Sequence, residues 1–391
     1  MADWRSIDFA QLYGLPSKNG LMAPSKTRGS GALLVNMREI FAFDRISDQQ
    51  MERAPLPERN AEAWLLRAGD LLFARQSLTL AGAGKVALVP AVPEPITFES
   101  HIIRVRLDPS KADAKFYYYL FRSSVGRSLI EGIVEQVAAA GIRSSDLGRL
   151  RVPNPDLGEQ QRIAAVLGAF DDLIEANRSL ITRLRALAID VHYAASTGGE
   201  FVLFGEIATQ IREGVLATEL AAGTPYLGLE HFGTDGSGIM DRGDAGTVDS
   251  NKSRFRAGDV LYGKLRPYFR KVDRPGFDGV CSTEIWVIRP THGWGAASLH
   301  AIVARPEFTE FAMAGNTGTR MPRANWAHVA TMPVPVPPEH ARRPLEHQLD
   351  SLWRGIVSLN VEITDLIRTR DELLPLLMSG KVRVSEDLVV S

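Results

Sequence analysis

The sequence predicts an α+β fold in which two tandem β-rich domains alternate with two long helices. Two short motifs recur far apart: Arg67-Ala68-Gly69-Asp70 returns as Arg256-Ala257-Gly258-Asp259, and Val152-Pro153-Asn154-Pro155 returns as Val334-Pro335-Val336-Pro337. Each Pro-rich stretch precedes a long segment whose apolar residues are spaced three and four apart, which is typical of a helix. A repeat on this scale indicates a duplicated domain with its helix, and two related surfaces suit a bipartite target.

Composition places the chain among globular proteins with two or three domains. Its 391 residues are 45% apolar and 23% charged, with a net charge of −1. No apolar run is long enough to span a membrane, and the N-terminus has no signal-peptide pattern. The single cysteine, Cys281, excludes an internal disulfide and a Cys-based zinc cluster. We therefore expect a cytoplasmic protein without a membrane partner.

The first predicted domain covers residues 1–155. Short apolar runs at 71–73, 86–89 and 102–105 alternate with turn residues and predict strands. The pattern becomes helical near 115–135, and the proline pair at 153 and 155 ends the domain.

The first long helix is predicted over residues 156–197. The alternating spacing of its apolar residues is that of a coiled-coil seam, with one polar residue on the stripe. The seam residues are Ile163, Val166, Phe170, Leu173, Asn177, Leu180 and Leu184.

The second domain is predicted over residues 198–338 and the second helix with its tail over residues 339–391. The stripe of this helix contains Leu349, Leu352, Ile356, Asn360 and Ile363. Two related helices, each with an apolar stripe, most simply bury each other. We expect an antiparallel coiled-coil pair that relates the two halves by a pseudo-twofold axis, with the two Asn residues fixing register.

Catalytic motifs are missing from the sequence. It contains no His-Glu-x-x-His, no Gly-x-Ser-x-Gly and no Gly-x-Gly-x-x-Gly, and its eight histidines are scattered. We expect neither a metal site nor a catalytic residue.

Polar and basic loops with interleaved aromatics are the remaining candidates, and they suggest DNA binding. Lys and Arg neutralise phosphates, Arg can pair with guanine and Gln with adenine. A basic run is also common on a solvated surface, so the duplicated context is what favours DNA. The candidate DNA-binding residues are Arg75, Gln76, Lys85, Arg143 and Ser145 in the first domain and Lys264, Arg266, Arg270, Arg320, Arg323 and Asn325 in the second.

The chain resembles the specificity subunits of type I restriction-modification systems over essentially its whole length. The most specific stretches are Gly158-Glu159-Gln160-Gln161-Arg162-Ile163 and the tail from Arg370 to Val382. Gly69-Asp70-Leu71-Leu72-Phe73 and Gly258-Asp259-Val260-Leu261-Tyr262 resemble the stretch that usually begins a strand in recognition domains of this family. The second helix lacks the Glu-Gln-x-x-Ile element, because His340-Ala341-Arg342-Arg343 stands there instead.

The resemblance implies a non-catalytic DNA reader with two target-recognition domains, one for each half of a bipartite site. It implies helices that set the unread spacer and dock two methyltransferase subunits, which bind S-adenosylmethionine, together with restriction subunits that use ATP and Mg²⁺. No cofactor is implied in this chain, which lacks the Asn/Asp-Pro-Pro-Tyr/Phe motif of adenine methyltransferases.

Two alternatives stay open. The chain could be the specificity subunit of a restriction system that cuts on both sides of its site. It could also be a coiled-coil scaffold with two protein-binding modules and no nucleic-acid role.

Overall fold

The computed structural model describes residues 4–47, 49–91, 94–136, 140–315 and 321–385. The chain forms two units: Met1–Ile174 with Asp365–Ser391, and Glu175–Thr364. Both long helices contribute to both units, because each helix crosses the division between them.

The first unit contains short strands and helices followed by the first long helix. Its strands are β1 Arg5–Asp8, β2 Tyr13–Asn19, β3 Ala32–Val35, β4 Glu52–Ala54, β5 Leu71–Ala74, β6 Gln76–Ser77, β7 Val86–Leu88, β8 Ile96–Phe98, β9 Ile102–Leu107, β10 Glu135–Gln136, β11 Ala140–Gly141 and β12 Arg151–Asn154. Its helices are α1 Met37–Ala42, α2 Ala114–Arg122, α3 Ser124–Glu131, α4 Ser144–Arg149 and the start of α5 Leu157–Ser196.

The core of the first unit lies against a four-stranded sheet with the order β2-β9-β5-β7. All four residues of β5 are buried, so the strand is covered on both faces. Phe73 packs on one side against Phe121 of α2, while Leu72 packs on the other among residues of the three-stranded sheet β4-β3-β8. The remaining strands form the three-stranded sheet β10-β11-β6 and the antiparallel pair β1–β12.

The second unit follows after the start of α5. Its strands are β13 Glu200–Leu203, β14 Ala208–Ile211, β15 Gly214–Val215, β16 Pro225–Leu227, β17 Gly243–Asp244, β18 Lys252–Phe255, β19 Val260–Gly263, β20 Val272–Asp273, β21 Gly279–Cys281, β22 Ile285–Pro290 and β23 Pro333–Val336. Its helices are α6 Phe204–Ile207, α7 Ala296–Val303, α8 Pro306–Ala314, α9 Trp326–Val329 and the larger part of α10 Glu339–Met378.

The predicted duplication is visible in the sheets of the two units. The order β14-β22-β19-β20 corresponds to β2-β9-β5-β7, and the pair β13–β23 corresponds to β1–β12. The second sheets differ, since the second unit has the five-stranded order β15-β18-β21-β16-β17. The α+β prediction with two related domains is confirmed.

Within each unit the two long helices lie side by side and run in opposite directions. In the first unit Asp171 and Arg370 form an ion pair with an O–N distance of 2.6 Å, and Ile163 shares a core cluster with Leu377. In the second unit Ala188 and Leu349 share a cluster. In both units, residues farther along α5 lie near residues earlier in α10, as the sequence predicts.

The predicted seam of α5 is wrong at every second position. Leu173 and Leu180 are 42% and 44% exposed, whereas the neighbouring Ile174 and Ile181 are 4% and 7% exposed. Likewise Leu167 is buried, while Val166 is only half-buried. The buried stripe therefore steps by four and then three residues from Ile163, whereas the prediction stepped by three and then four. The prediction failed because both members of each neighbouring pair are apolar.

The other seam residues occupy the expected stripe, with one difference between the two asparagines. Ile163, Leu349 and Ile356 are buried, and Phe170, Leu184, Leu352 and Ile363 are half-buried. Asn177 is 6% exposed, but Asn360 is exposed and its amide donates to the carbonyl of Ile356 in its own helix. The two Asn residues therefore have different environments, and their role in fixing register stays a prediction.

Candidate nucleic-acid interface

The duplicated Arg-Ala-Gly-Asp motif builds a turn that leads into the central strand of each unit. Gly69 and Gly258 have φ angles of 86° and 89°, in the left-handed region where a side chain is disfavoured. Asp70 accepts hydrogen bonds from the backbone N–H of Arg67 at 2.8 Å and from the Arg106 guanidinium at 2.7 and 2.6 Å. The Asp70 carboxylate is completely buried, so the motif has a structural role in the first unit.

The second unit repeats this arrangement. Asp259 accepts from the backbone N–H of Arg256 at 2.9 Å and from the Arg289 guanidinium at 2.7 and 2.7 Å. Hydrogen bonding to Asp259 raises the pKa of Arg289. In both units a bidentate Arg–Asp pair joins the start of the strand to the neighbouring strand.

The loops that follow β5 and β19 start from the same backbone arrangement. Arg75 donates its N–H to the carbonyl of His101 at 2.8 Å, and its own carbonyl accepts from Ile142 at 2.9 Å. Lys264 donates to the carbonyl of Glu284 at 2.9 Å and accepts from Ala324 at 2.9 Å. Arg75 and Lys264 therefore occupy equivalent positions in the two units.

These contacts bring together candidate residues that are distant in sequence. Gln76 pairs with Gly141 across β6 and β11, and Arg143 and the start of α4, with Ser145, lie close to Gly141 in the chain. In the second unit Leu265 forms a bridge with Arg323. Each unit thus joins the two predicted loops into one surface. That this surface binds DNA stays a prediction.

Two candidate arginines on these surfaces pair with acidic side chains that the sequence did not reveal. Arg143 contacts Glu135 at 2.6 Å, and Arg323 contacts Glu284 at 3.0 Å, measured from nitrogen to oxygen. The hydrogen bond to Glu284 raises the pKa of Arg323. Both arginines are more than half exposed, so the ion pairs are weak and easily exchanged for other partners.

Three other candidates make contacts within their own unit. Lys85 donates to the carbonyl of Phe41 at 2.8 Å, and Lys271 in the second unit donates in the same way to the carbonyl of Leu229 at 2.6 Å. Arg270 donates to the carbonyl of Ala304 at 3.1 Å. Asn325 caps α9 by accepting from the N–H of Ala327 at 2.9 Å. The sequence analysis included Lys85 and Arg270 because charge alone does not distinguish a residue that is held by its own fold.

The remaining candidates are exposed or half-buried. Ser145 and Arg266 are exposed and Lys264 is half-buried, while Arg320 lies outside the described residues. Arg266 has a φ angle of 51° and is followed by the exposed Tyr268 and Phe269, which are 47% and 37% accessible. The loop therefore presents an arginine and two aromatic rings to the surroundings.

Other kinds of site find little support among the residues that the structure describes. No group of three or more His, Cys, Asp or Glu side chains in those residues could hold a metal ion. Burial raises the pKa of the Cys281 thiol to about 12, which fits a buried apolar role. None of the described helices has the length and apolarity required to cross a bilayer.

Comparison with known proteins gives a family match in the first unit and at the start of the second. Residues 47–186 match the family model of the type I restriction modification DNA specificity domain. A stretch of 139 residues is 25% identical to the Escherichia coli type I restriction enzyme EcoDI specificity subunit and covers 35% of this chain and 30% of that protein. The chain thus spans about a third of the length of that relative.

Two comparisons extend over most of the chain. The Methanocaldococcus jannaschii type I restriction enzyme MjaIX specificity subunit is 19% identical over 367 residues, covering 84% of this chain and 83% of that protein. The crystal structure of the type I restriction-modification S subunit from M. genitalium aligns with a TM-score of 0.58 and 16% identity over 96% of each chain, which supports the fold. Residues 47–186 thus match the type I DNA specificity domain, and the predicted resemblance to type I specificity subunits is confirmed.

Proposed function

We propose that the chain is the DNA-recognition subunit of a type I restriction-modification complex and performs no catalysis itself. The match of residues 47–186 to the DNA specificity domain carries this proposal. The paired loops support it, because each unit gathers cationic and amide side chains on one surface around a rigid strand end. Such a set can contact phosphates and base edges.

We also propose that each unit reads one half of a bipartite target. The equivalent positions of Arg75 and Lys264 support a division of labour between two related readers. The long helices, which both units share, would set the spacer and dock two methyltransferase subunits and, in a complete system, restriction subunits. Those partners would supply S-adenosylmethionine, ATP and Mg²⁺.

Adenine methylation mapped across the host genome tests this function. We expect a split adenine motif that is lost when the gene for this chain is deleted and returns when the gene is restored. As a matched control, Arg178→Gln alters an exposed helix residue outside both loops and should leave the motif unchanged. A methylation pattern that does not depend on the chain would contradict the proposal.

Binding to duplex DNA distinguishes the proposal from a protein scaffold. The chain, alone or with a methyltransferase subunit, should bind random-sequence duplex with an affinity that falls as salt rises. An absence of binding under both conditions would favour the scaffold.

A further inference from the structure

We propose that Arg75 and Lys264 are phosphate contacts that act on any sequence, whereas the residues immediately after them, Gln76-Ser77 and Leu265-Arg266, contact bases. This inference rests on the proposed DNA-reading function and assigns different roles within the same loops.

The two cations project from the same position in each unit. In addition to the hydrogen bonds of Arg75 and Lys264, the preceding residues are held alike: Ala74 donates to the carbonyl of Lys85 and Gly263 to that of Lys271, both at 2.8 Å. The strand end is thus fixed on both sides in each unit, and a cation follows it each time.

Neither cation is used by its own fold. No hydrogen bond, ion pair or cation–π contact of the Arg75 or Lys264 side chain occurs in the ranges that the structure describes. By contrast, three other cations on these surfaces are occupied, since Lys85 and Lys271 hold backbone carbonyls and Arg323 pairs with Glu284, while Arg266 is unoccupied like Lys264 in the described ranges. Arg75 and Lys264 are therefore available to an external anion.

The two halves of a bipartite DNA target differ in their bases but share the phosphate backbone. A cation that both units hold at the same backbone position is suited to contact the phosphate backbone, which the two half-sites share. Arg and Lys differ in the planar geometry used for bidentate pairing, but either can neutralise a phosphate. The exchange of Arg75 for Lys264 between units therefore fits a phosphate contact.

The positions that follow differ in chemistry. Gln76 in the first unit corresponds to Leu265 in the second, and Ser77 corresponds to Arg266. Arg266 is exposed and adopts a left-handed backbone that disfavours any residue with a Cβ. A difference between units at these positions matches a difference between the base sequences they would read.

The test measures the affinity of the full chain for labelled random-sequence duplex over a range of salt concentrations. Arg75→Gln and Lys264→Gln should each reduce the slope of log K against log salt by about 0.9, the amount expected for one lost phosphate contact. Selection from a random-sequence pool should return the same motif as the unaltered chain. Arg178→Gln removes an exposed helix cation and should leave the slope unchanged.

Conservative exchange separates a phosphate contact from a base contact. Arg75→Lys and Lys264→Arg should keep both slope and motif, because each retains one positive charge. Gln76→Ala and Arg266→Ala should each relax the motif at one position. Unfolding temperatures measured for every variant verify that the chain is folded.

The inference is overturned if Arg75→Gln or Lys264→Gln relaxes one base position while the salt slope stays constant. Failure of the unaltered chain to bind duplex DNA, both alone and with a methyltransferase subunit, would instead contradict the proposed function, so the two failures are distinguishable.

Discussion

Arg185 of α5 and Asp273 of β20 form a bidentate ion pair in the interior of the second unit. Both nitrogen–oxygen distances are 2.9 Å, and each side chain is 9% exposed. Asp273 also accepts from the backbone N–H groups of Ile239 and Arg274. Burial alone would raise the pKa of Asp273, but the Arg185 charge and these hydrogen bonds hold it below its ordinary value. The pair fastens the long helix to the sheet of its own unit.

Removing Arg185 should strongly destabilise the second unit. In Arg185→Met the Asp273 carboxylate stays buried without its partner, and we expect a loss of about 3–5 kcal/mol in the free energy of unfolding. Denaturant unfolding measures this value. Arg183→Met alters an exposed residue on the same helix and should change stability by less than about 0.5 kcal/mol. Equal effects of the two substitutions would show that the buried pair does not stabilise the unit.

The second unit should lose stability as the pH falls from 6.5 towards 4. Burial lowers the pKa of His192 and of His300 to about 4, with Arg305 adding to the effect at His192. Around His300, Asp273 raises the pKa while Arg185 and Arg274 lower it. The histidines of the unfolded chain bind protons at a higher pH than those of the folded chain, so acid favours unfolding between pH 6.5 and 4. Each histidine should lower the free energy of unfolding by roughly 3 kcal/mol over this range.

Unfolding measured as a function of pH checks this prediction. His192→Leu should weaken the dependence of stability on pH, because it removes one of the two titrating rings. Leucine can replace this side chain because neither ring nitrogen of His192 has a hydrogen-bond partner in the described part of the protein. His347→Gln, at an exposed position, should leave the curve unchanged. Stability that is constant between pH 6.5 and 4 would contradict the lowered pKa values of the two histidines.

Arg266→Gly should weaken base preference without reducing stability. Glycine removes the strain of about 1–2 kcal/mol that a left-handed residue carries, which stabilises the folded state. This stabilisation is partly offset by the greater conformational freedom of glycine in the unfolded chain. The hydrogen bond that the backbone N–H of Arg266 donates to the carbonyl of Pro322 can remain in the variant. We expect an unfolding temperature that is unchanged or higher, with one relaxed motif position. A lower unfolding temperature would indicate that the side chain supports the loop.

Neutralising Glu284 should strengthen binding to DNA of any sequence. Glu284→Gln removes the carboxylate that pairs with Arg323, while the Glu284 backbone carbonyl that holds Lys264 remains. Affinity for random duplex should rise and become more sensitive to salt. Asp365→Asn makes the same change in net charge on an exposed helix position and serves as the control. An equal rise in both variants would assign the effect to net charge alone.

The regular features of this fold are predictable because they repeat. The motif at Asp70 and Asp259 marks both central strands, and the spacing of apolar residues locates both long helices. The register of α5 was not predictable, since Leu173 and Ile174 are equally apolar and only packing decides which is buried. The ambiguity is a property of the sequence, which places leucines on the exposed side at regular intervals.

The candidate surface was predictable in composition but not in detail. Basic and amide residues near the strand ends indicated the two loops, and the structure joins them in each unit. The acidic partners of Arg143 and Arg323 come from other segments of the chain. Lys85 is held by the carbonyl of Phe41, a contact that no sequence motif indicates. Side-chain partnerships of this kind depend on tertiary structure.

In each unit the turn anchored by Asp70 or Asp259 is separated by a strand from the loop whose residues differ between the units. In each unit the Arg–Asp pair lies at the start of the strand, and the loop follows the other end of the strand, so a substitution at the loop tip does not alter the anchoring groups. If the units read DNA as proposed, a change of target preference at the loop tip would therefore leave the Arg–Asp anchor of the strand in place. Each unit thus combines a constant anchoring turn with a loop tip whose sequence can change.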